Sequence, residues 1–123
     1  MLDVSTYEAI LDSIHHRLVF VDTDHVIRYL NRAARRWFYQ KRGYADLVGR
    51  SIFACHNPDS REQLLELYRR LQQGEDAVFV KITPENEKAS MVAVRDGQGR
   101  LLGYFERFED LHPPVPPDAA RRG

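Results

Sequence analysis

The sequence predicts an α+β fold, a single antiparallel sheet of five strands with helices across one face. Three observations carry this. Strand-like segments stand at both ends of the chain, two near the start and three in the last third, with helical segments between them. Asp96-Gly97 separates two alternating segments, a strong hairpin signal. The 123 residues suffice for one hydrophobic core but not for two.

The first element is a short amphipathic helix over about 6–15. Ser5 followed three residues later by Glu8 is a capping-box signature, and Tyr7, Ile10, Leu11 and Ile14 recur at helical spacing. Its apolar stripe either covers the domain's own core or packs on the same helix of a second subunit, and both readings bury the same face. Leu18 to Val21 reads as a strand, Asp22-Thr23-Asp24 as a turn, and Val26 to Leu30 as the strand that completes a hairpin. Asn31 suits a helix N-cap. The helix that follows runs from Arg32 to about Tyr39, with Trp37 and Phe38 set among Arg32, Arg35 and Arg36, and Gly43 ends it. Residues 44–53 read as a short helical turn plus loop. Pro58 breaks the chain ahead of the clearest helix, for which Ser60 with Gln63, or Asp59 with Glu62, offers a capping box. Leu64, Leu67, Tyr68 and Leu71 form its stripe and Gly74 its stop. Ala77 to Ile82, Ala89 to Arg95 and Leu101 to about Phe108 are the last strands. Four prolines after Leu111 predict an extended, polyproline-like tail. The expected organisation is a flanking helix over 1–16, a core domain over 17–111 and a tail over 112–123.

Eighteen basic and eighteen acidic side chains cancel, so no global field draws the chain to nucleic acid or to anionic lipid. Neither a signal peptide nor an apolar run of membrane-spanning length is present, and a cytoplasmic protein is expected. One cysteine cannot form an internal disulfide or a four-cysteine zinc site.

That cysteine, Cys55, stands directly beside His56 in the stretch 47–60 that leads into the long helix. A thiolate is the reactive form of cysteine, and an imidazolium or a helix N-terminus lowers its pKa. A histidine here could ligate haem iron. The structural reading is a buried thiol acting as a small apolar group, with His56 bonded to loop backbone or capping the helix. The c-type haem pattern Cys-x-x-Cys-His is absent. His15, His16, His25 and His112 form no recognisable metal spacing. In the last strands, alternate positions offer either Ala89, Met91, Ala93, Leu101, Gly103 and Phe105, which would leave room for a ligand, or Val92, Val94, Leu102 and Tyr104, which would fill the core. Periodicity does not choose between them.

Val19-Phe20-Val21-Asp22, Ile27-Arg28-Tyr29-Leu30-Asn31, Leu47-Val48-Gly49-Arg50, Val94-Arg95-Asp96-Gly97, Gly103 and Glu109-Asp110 together resemble a PAS domain over roughly residues 8–111. The run Gly-Arg, Cys-His, Pro and Ser is most similar to a bacterial PAS subgroup often fused to hemerythrin-like domains. Members tend to have a proline where this chain has Asn57. The resemblance implies a five-stranded antiparallel sheet covered by helices, and a sensory rather than catalytic protein that binds haem, flavin or a small metabolite, or binds nothing and dimerises. The flavin-adduct cysteine of the related photoreceptors is not reproduced, because Ser51-Ile52-Phe53 follows Gly49-Arg50. By analogy, Met91, Ala93, Gly103 and Phe105 would face inward. The candidate ligand-binding residues are therefore Cys55, His56, Trp37, Met91 and Phe105, with no catalytic residue and no metal ligand.

The leading expectation is a stand-alone sensor that binds a small molecule and changes its contacts with a protein partner, as a homodimer, with neither nucleic acid nor membrane as partner. The alternatives are a ligand-free dimerisation module and a redox switch built on Cys55.

Overall fold

The computed structural model describes residues 1–55 and 57–111, leaving aside the side chain of Cys55. In chain order the elements are α1 (Val4–Asp12), β1 (Arg17–Asp22), β2 (Ile27–Leu30), α2 (Arg32–Arg35), a π-helical turn (Arg36–Lys41), a 3₁₀ turn (Ile52–Cys55), α3 (Pro58–Gln72), β3 (Ala77–Ile82), β4 (Glu87–Arg95) and β5 (Leu101–Asp110). The strands form one sheet in the order β2-β1-β5-β4-β3, with every neighbour antiparallel. The fold is the expected α+β arrangement. The last strand in sequence is the central strand of the sheet, and it joins the early hairpin to the late one.

Two of the turns use the same device. The Asp22 carboxylate accepts from the amides of Asp24 and Val26 at 2.9 and 3.0 Å, and that of Asp96 accepts from Gln98 and Arg100 at 2.8 and 2.9 Å. A short acidic side chain thereby satisfies the amides that a tight turn leaves free. Gly103, on the central strand, adopts φ 154°, and a Cβ there would lie 2.2 Å from the Val21 carbonyl oxygen. Glycine is required at that close approach of β5 to β1.

The helix caps differ from the sequence expectation. Asp3, not Ser5, caps α1, its carboxylate accepting from the Thr6 amide at 2.9 Å. Asn57, not Asp59 or Ser60, caps α3, accepting from the Ser60 amide at 2.8 Å. Pro58 is the first residue of α3 rather than a break before it. Its missing N–H is one that a helix start leaves unpaired anyway. Asn31 does cap α2, but the α-helix lasts only to Arg35 before the backbone widens into the π-helical turn.

The core lies between the sheet and α3. Leu64, Leu67, Tyr68 and Leu71 present one stripe of α3, against Val19, Val21, Val78, Met91 and Tyr104 of the strands. Helix α1 takes no part, since none of its residues is buried. Its stripe therefore does not cover the domain's own core. The 112–123 segment lies outside the described residues.

The inward face of the sheet corrects half of the expectation. Met91 and Ala93 do point to the core side. Across the ladder, however, Met91 pairs with Glu106 and Ala93 with Tyr104. Residues directly opposite one another share a face, so β5 turns Tyr104, Glu106 and Phe108 inward. Phe105 pairs with Phe20 and Val92 and belongs to the outer face. Gly103, which the resemblance also places inward, pairs with Val94 beside the irregularity between Val94 and Arg95.

Candidate functional site

A cavity of about 350 Å³ opens between the inner face of the sheet and the helical layer. This lies within the size range of small-molecule sites. Val19, Val80, Ala89 and Phe108 supply its sheet side, Trp37 and Phe38 the π-helical turn, and Leu64 the wall from α3. The single methyl of Ala89 helps to leave the space. Leu47 and Ile52, from the stretch 47–60, close one side, so part of that stretch does border a cavity.

The polar groups at the cavity come mainly from the strands. Arg17 begins β1 and is buried. Its guanidinium lies 4.1 Å from the Trp37 ring centroid and 4.5 Å from that of Phe108, and it donates to Glu87 at 2.5 Å. Aromatic faces attract a cation, and the carboxylate supplies the counter-charge that a buried guanidinium needs. Burial still pulls the Arg17 pKa down, against the opposing pull of Glu87.

Glu106 is the unusual residue. It stands on the central strand between Val19 and Met91, lines the cavity, and makes no hydrogen bond or ion pair within the described residues. Burial disfavours its charged form and raises its pKa to about 7, with the Lys81 ammonium pulling the other way. Burial, and next the neighbouring Glu106, push the Tyr104 phenol up as well.

A second cluster lies around His25 in the β1–β2 turn. Its ring packs 4.9 Å from that of Phe53 and 4.7 Å from that of Tyr68, and Nδ1 lies 3.3 Å from the Tyr104 hydroxyl. Burial lowers the His25 pKa, opposed by Asp22 and Asp24.

Of the residues singled out in the sequence, Trp37 lines the cavity. Met91 is fully buried in the core, and Phe105 is on the opposite face of the sheet. Cys55 closes the 3₁₀ turn; its side chain and the whole of His56 lie outside the described structure. Sequence reasoning passed over Arg17, Glu106 and Phe108. The available signal was a glutamate inside the aromatic run Tyr104-Phe105-Glu106-Arg107-Phe108. Among the described residues, no three His, Cys, Asp or Glu side chains converge on a metal position. Of the usual haem-iron ligands among the described residues, only the phenol of Tyr44 borders the cavity. No described helix is long and apolar enough to cross a membrane.

This geometry, a cavity held between a five-stranded sheet and a helical layer, has clear relatives. The family model described as PAS domain matches residues 7–112. The chain belongs to the PAS domain family. A C-terminal domain from Streptococcus mutans is 25% identical with a TM-score of 0.74, over 91% of this chain and 87% of that one. A PAS domain from Colwellia psychrerythraea is 13% identical with a TM-score of 0.64, over 89% and 98%. The Aer2 receptor from Vibrio cholerae, described as a dual PAS-heme oxygen sensor, is 19% identical with a TM-score of 0.57, over 79% and 95%. No curated protein sequence matches this chain. PAS domains are typically sensory and signalling modules rather than catalysts, and this PAS domain carries its cavity where the sheet meets the helices.

Proposed function

We propose that this PAS domain is a small sensory module that takes a small molecule into the cavity and changes its protein contacts in response. The observation that carries the reading is the cavity of about 350 Å³, walled by apolar and aromatic side chains and reached by a few polar groups. The module acts by binding, with no reaction of its own, in a cytoplasmic setting. The Gly49-Arg50, Cys55-His56 and Pro58 run supports a place in the bacterial subgroup often joined to hemerythrin-like domains. The units are a flanking helix over 1–16 and a sensor core over 17–111.

Native mass spectrometry and an absorption spectrum of the gently purified protein test this. A bound small molecule, or resonance shifts at Trp37 and Leu64 in a ligand screen, is the expected result. A protein that carries nothing and responds to no ligand would count against the sensor.

A second reading, a dimerisation module, is favoured by two observations. Tyr7 and Ile10 of α1 are 50% and 51% exposed, although they lie on the apolar stripe. On the outer sheet face, Phe20, Phe105 and Val92 align across three strands. Both surfaces suit contact with a second copy, and the two readings are compatible in a homodimeric sensor.

A further inference from the structure

We propose that the cavity selects a small organic cation, an ammonium or amidinium head on an apolar or aromatic body, with the Glu106 carboxylate as its counter-ion. The inference rests on reading the cavity as a ligand site and adds the charge class of the ligand.

The first argument is the unpartnered acid. Glu106 occupies the middle of the central strand on the inward face, where the ladder places Val19 and Met91 on either side of it. Valine or leucine there would extend the core. Instead, a carboxyl group borders the cavity with no hydrogen-bond partner among the described residues. The group is only partly withdrawn from solvent, and a ligand cation would supply the missing partner through a charge-assisted hydrogen bond.

The second argument is the company Glu106 keeps. Trp37, Phe38 and Phe108 line the cavity, and aromatic rings attract cations, as the Arg17 guanidinium against all three of them shows. The neighbouring Arg17 shows the same pairing already made, with a cation between Trp37 and Phe108 and Glu87 as its counter-ion. Glu106 marks a second acid at this cavity, one that forms no ion pair with the described residues although Lys81 also lines the cavity.

The charged and titratable groups around Glu106 are consistent with this. From β1, Arg17 pairs through Nη2 with Glu87, while its Nε is buried with no hydrogen-bond partner among the described residues. From β3, Lys81 is exposed and makes no ion pair with Glu106. On β5 itself, Tyr104 is held in its neutral form by burial. Helix α3 presents only Ser60, Gln63 and Leu64, none of which carries charge. At the rim, Arg42 and Glu85 are both exposed, of opposite sign and open to screening by solvent. Burial alone keeps much of Glu106 protonated near neutrality. A cation that enters binds the ionised form and displaces the proton.

The test compares benzylamine, benzamide and benzoate, which share a ring and differ in charge, by NMR titration of the full chain at pH 6 and pH 8. Benzylamine, protonated at both values, is expected to bind about tenfold or more tightly than either analogue at pH 8. Its affinity should fall at pH 6, where a proton competes for Glu106. Glu106→Gln should abolish the preference while benzamide still binds. The pH dependence of the unmodified protein stands even where the variant fails to fold. Benzamide or benzoate binding as tightly as benzylamine overturns the charge assignment and leaves the cavity reading intact. So does benzylamine binding that ignores both pH and Glu106→Gln. If none of the three shifts Trp37, Leu64 or Phe108 at millimolar concentration, both readings fall together.

Discussion

Asn31 shows how much one buried side chain can organise. Its Oδ1 accepts from the amides of Leu18 and Ala34, both at 3.0 Å, which ties β1 to the start of α2. Its Nδ2 donates to the carbonyls of Leu11, Ile14 and His16 at 3.1, 3.2 and 2.9 Å, which fixes the end of α1 and the link that follows it. Asn31→Ala should therefore cost far more than a lost cap, about 2–4 kcal/mol in urea unfolding. Asn31→Asp keeps the acceptor but sets a carboxylate against those carbonyls, and should be no more stable than the alanine variant. An aspartate protein as stable as the parent would show that the donor side of Asn31 contributes nothing. From the sequence, Asn31 was legible as a cap, because capping is local. Its contacts with Leu11, Ile14 and His16 were not, because they depend on where the chain returns.

At the level of the element, α1 is fastened at one end and open along its length. Asp12 accepts from the Tyr29 hydroxyl at 2.7 Å and the Arg32 amide at 3.0 Å, and it pairs with Arg35 at 3.2 Å. The apolar stripe of Tyr7 and Ile10 nevertheless meets solvent. If this face joins two copies, Tyr7→Glu with Ile10→Glu should weaken dimerisation by about tenfold or more without unfolding the domain. Light scattering with circular dichroism reads both. A dimer unchanged by the pair of substitutions would move the interface elsewhere, with the outer sheet face around Phe20 and Phe105 next to be tried. The stripe itself was plain from helical spacing. Which surface it meets was not, since a periodicity defines a face and says nothing of its partner.

The whole molecule carries two half-buried groups whose titrations oppose each other. Glu106 has its folded pKa raised from 4.5 to about 7. The native state then holds a proton that the unfolded chain has lost, and this contribution to stability disappears as pH rises from about 4.5 to about 7. Such a shift corresponds to about 3 kcal/mol at most. His25 has its folded pKa lowered from 6.5. Stability from this group is present above that value and is lost as pH falls through it, because the unfolded chain takes up a proton that the native state refuses. The parent protein should therefore show a flattened stability profile between pH 5 and pH 8. Glu106→Gln should leave a profile that rises with pH over this range, and His25→Asn one that falls. Denaturant midpoints across the range check this, and parallel profiles for all three proteins would overturn it.

The sequence by itself determined the class of the fold, the strand and helix order, the α3 stripe and the Asp-led turns, because each depends on residues close together in the chain. It also carried the family resemblance, since Val19 to Asp22, Gly49-Arg50 and Asp96-Gly97 recur in order. Only the tertiary structure decided which side of β5 faces the core. That choice follows from the β4–β5 register and its irregularity at Val94 and Arg95, where a shift of one residue exchanges the two faces. The same register replaced Phe105 with Glu106 as the inward residue. An apolar wall expected from the family resemblance thus became a wall bearing one unpaired acid, and the question put to the cavity became one of charge.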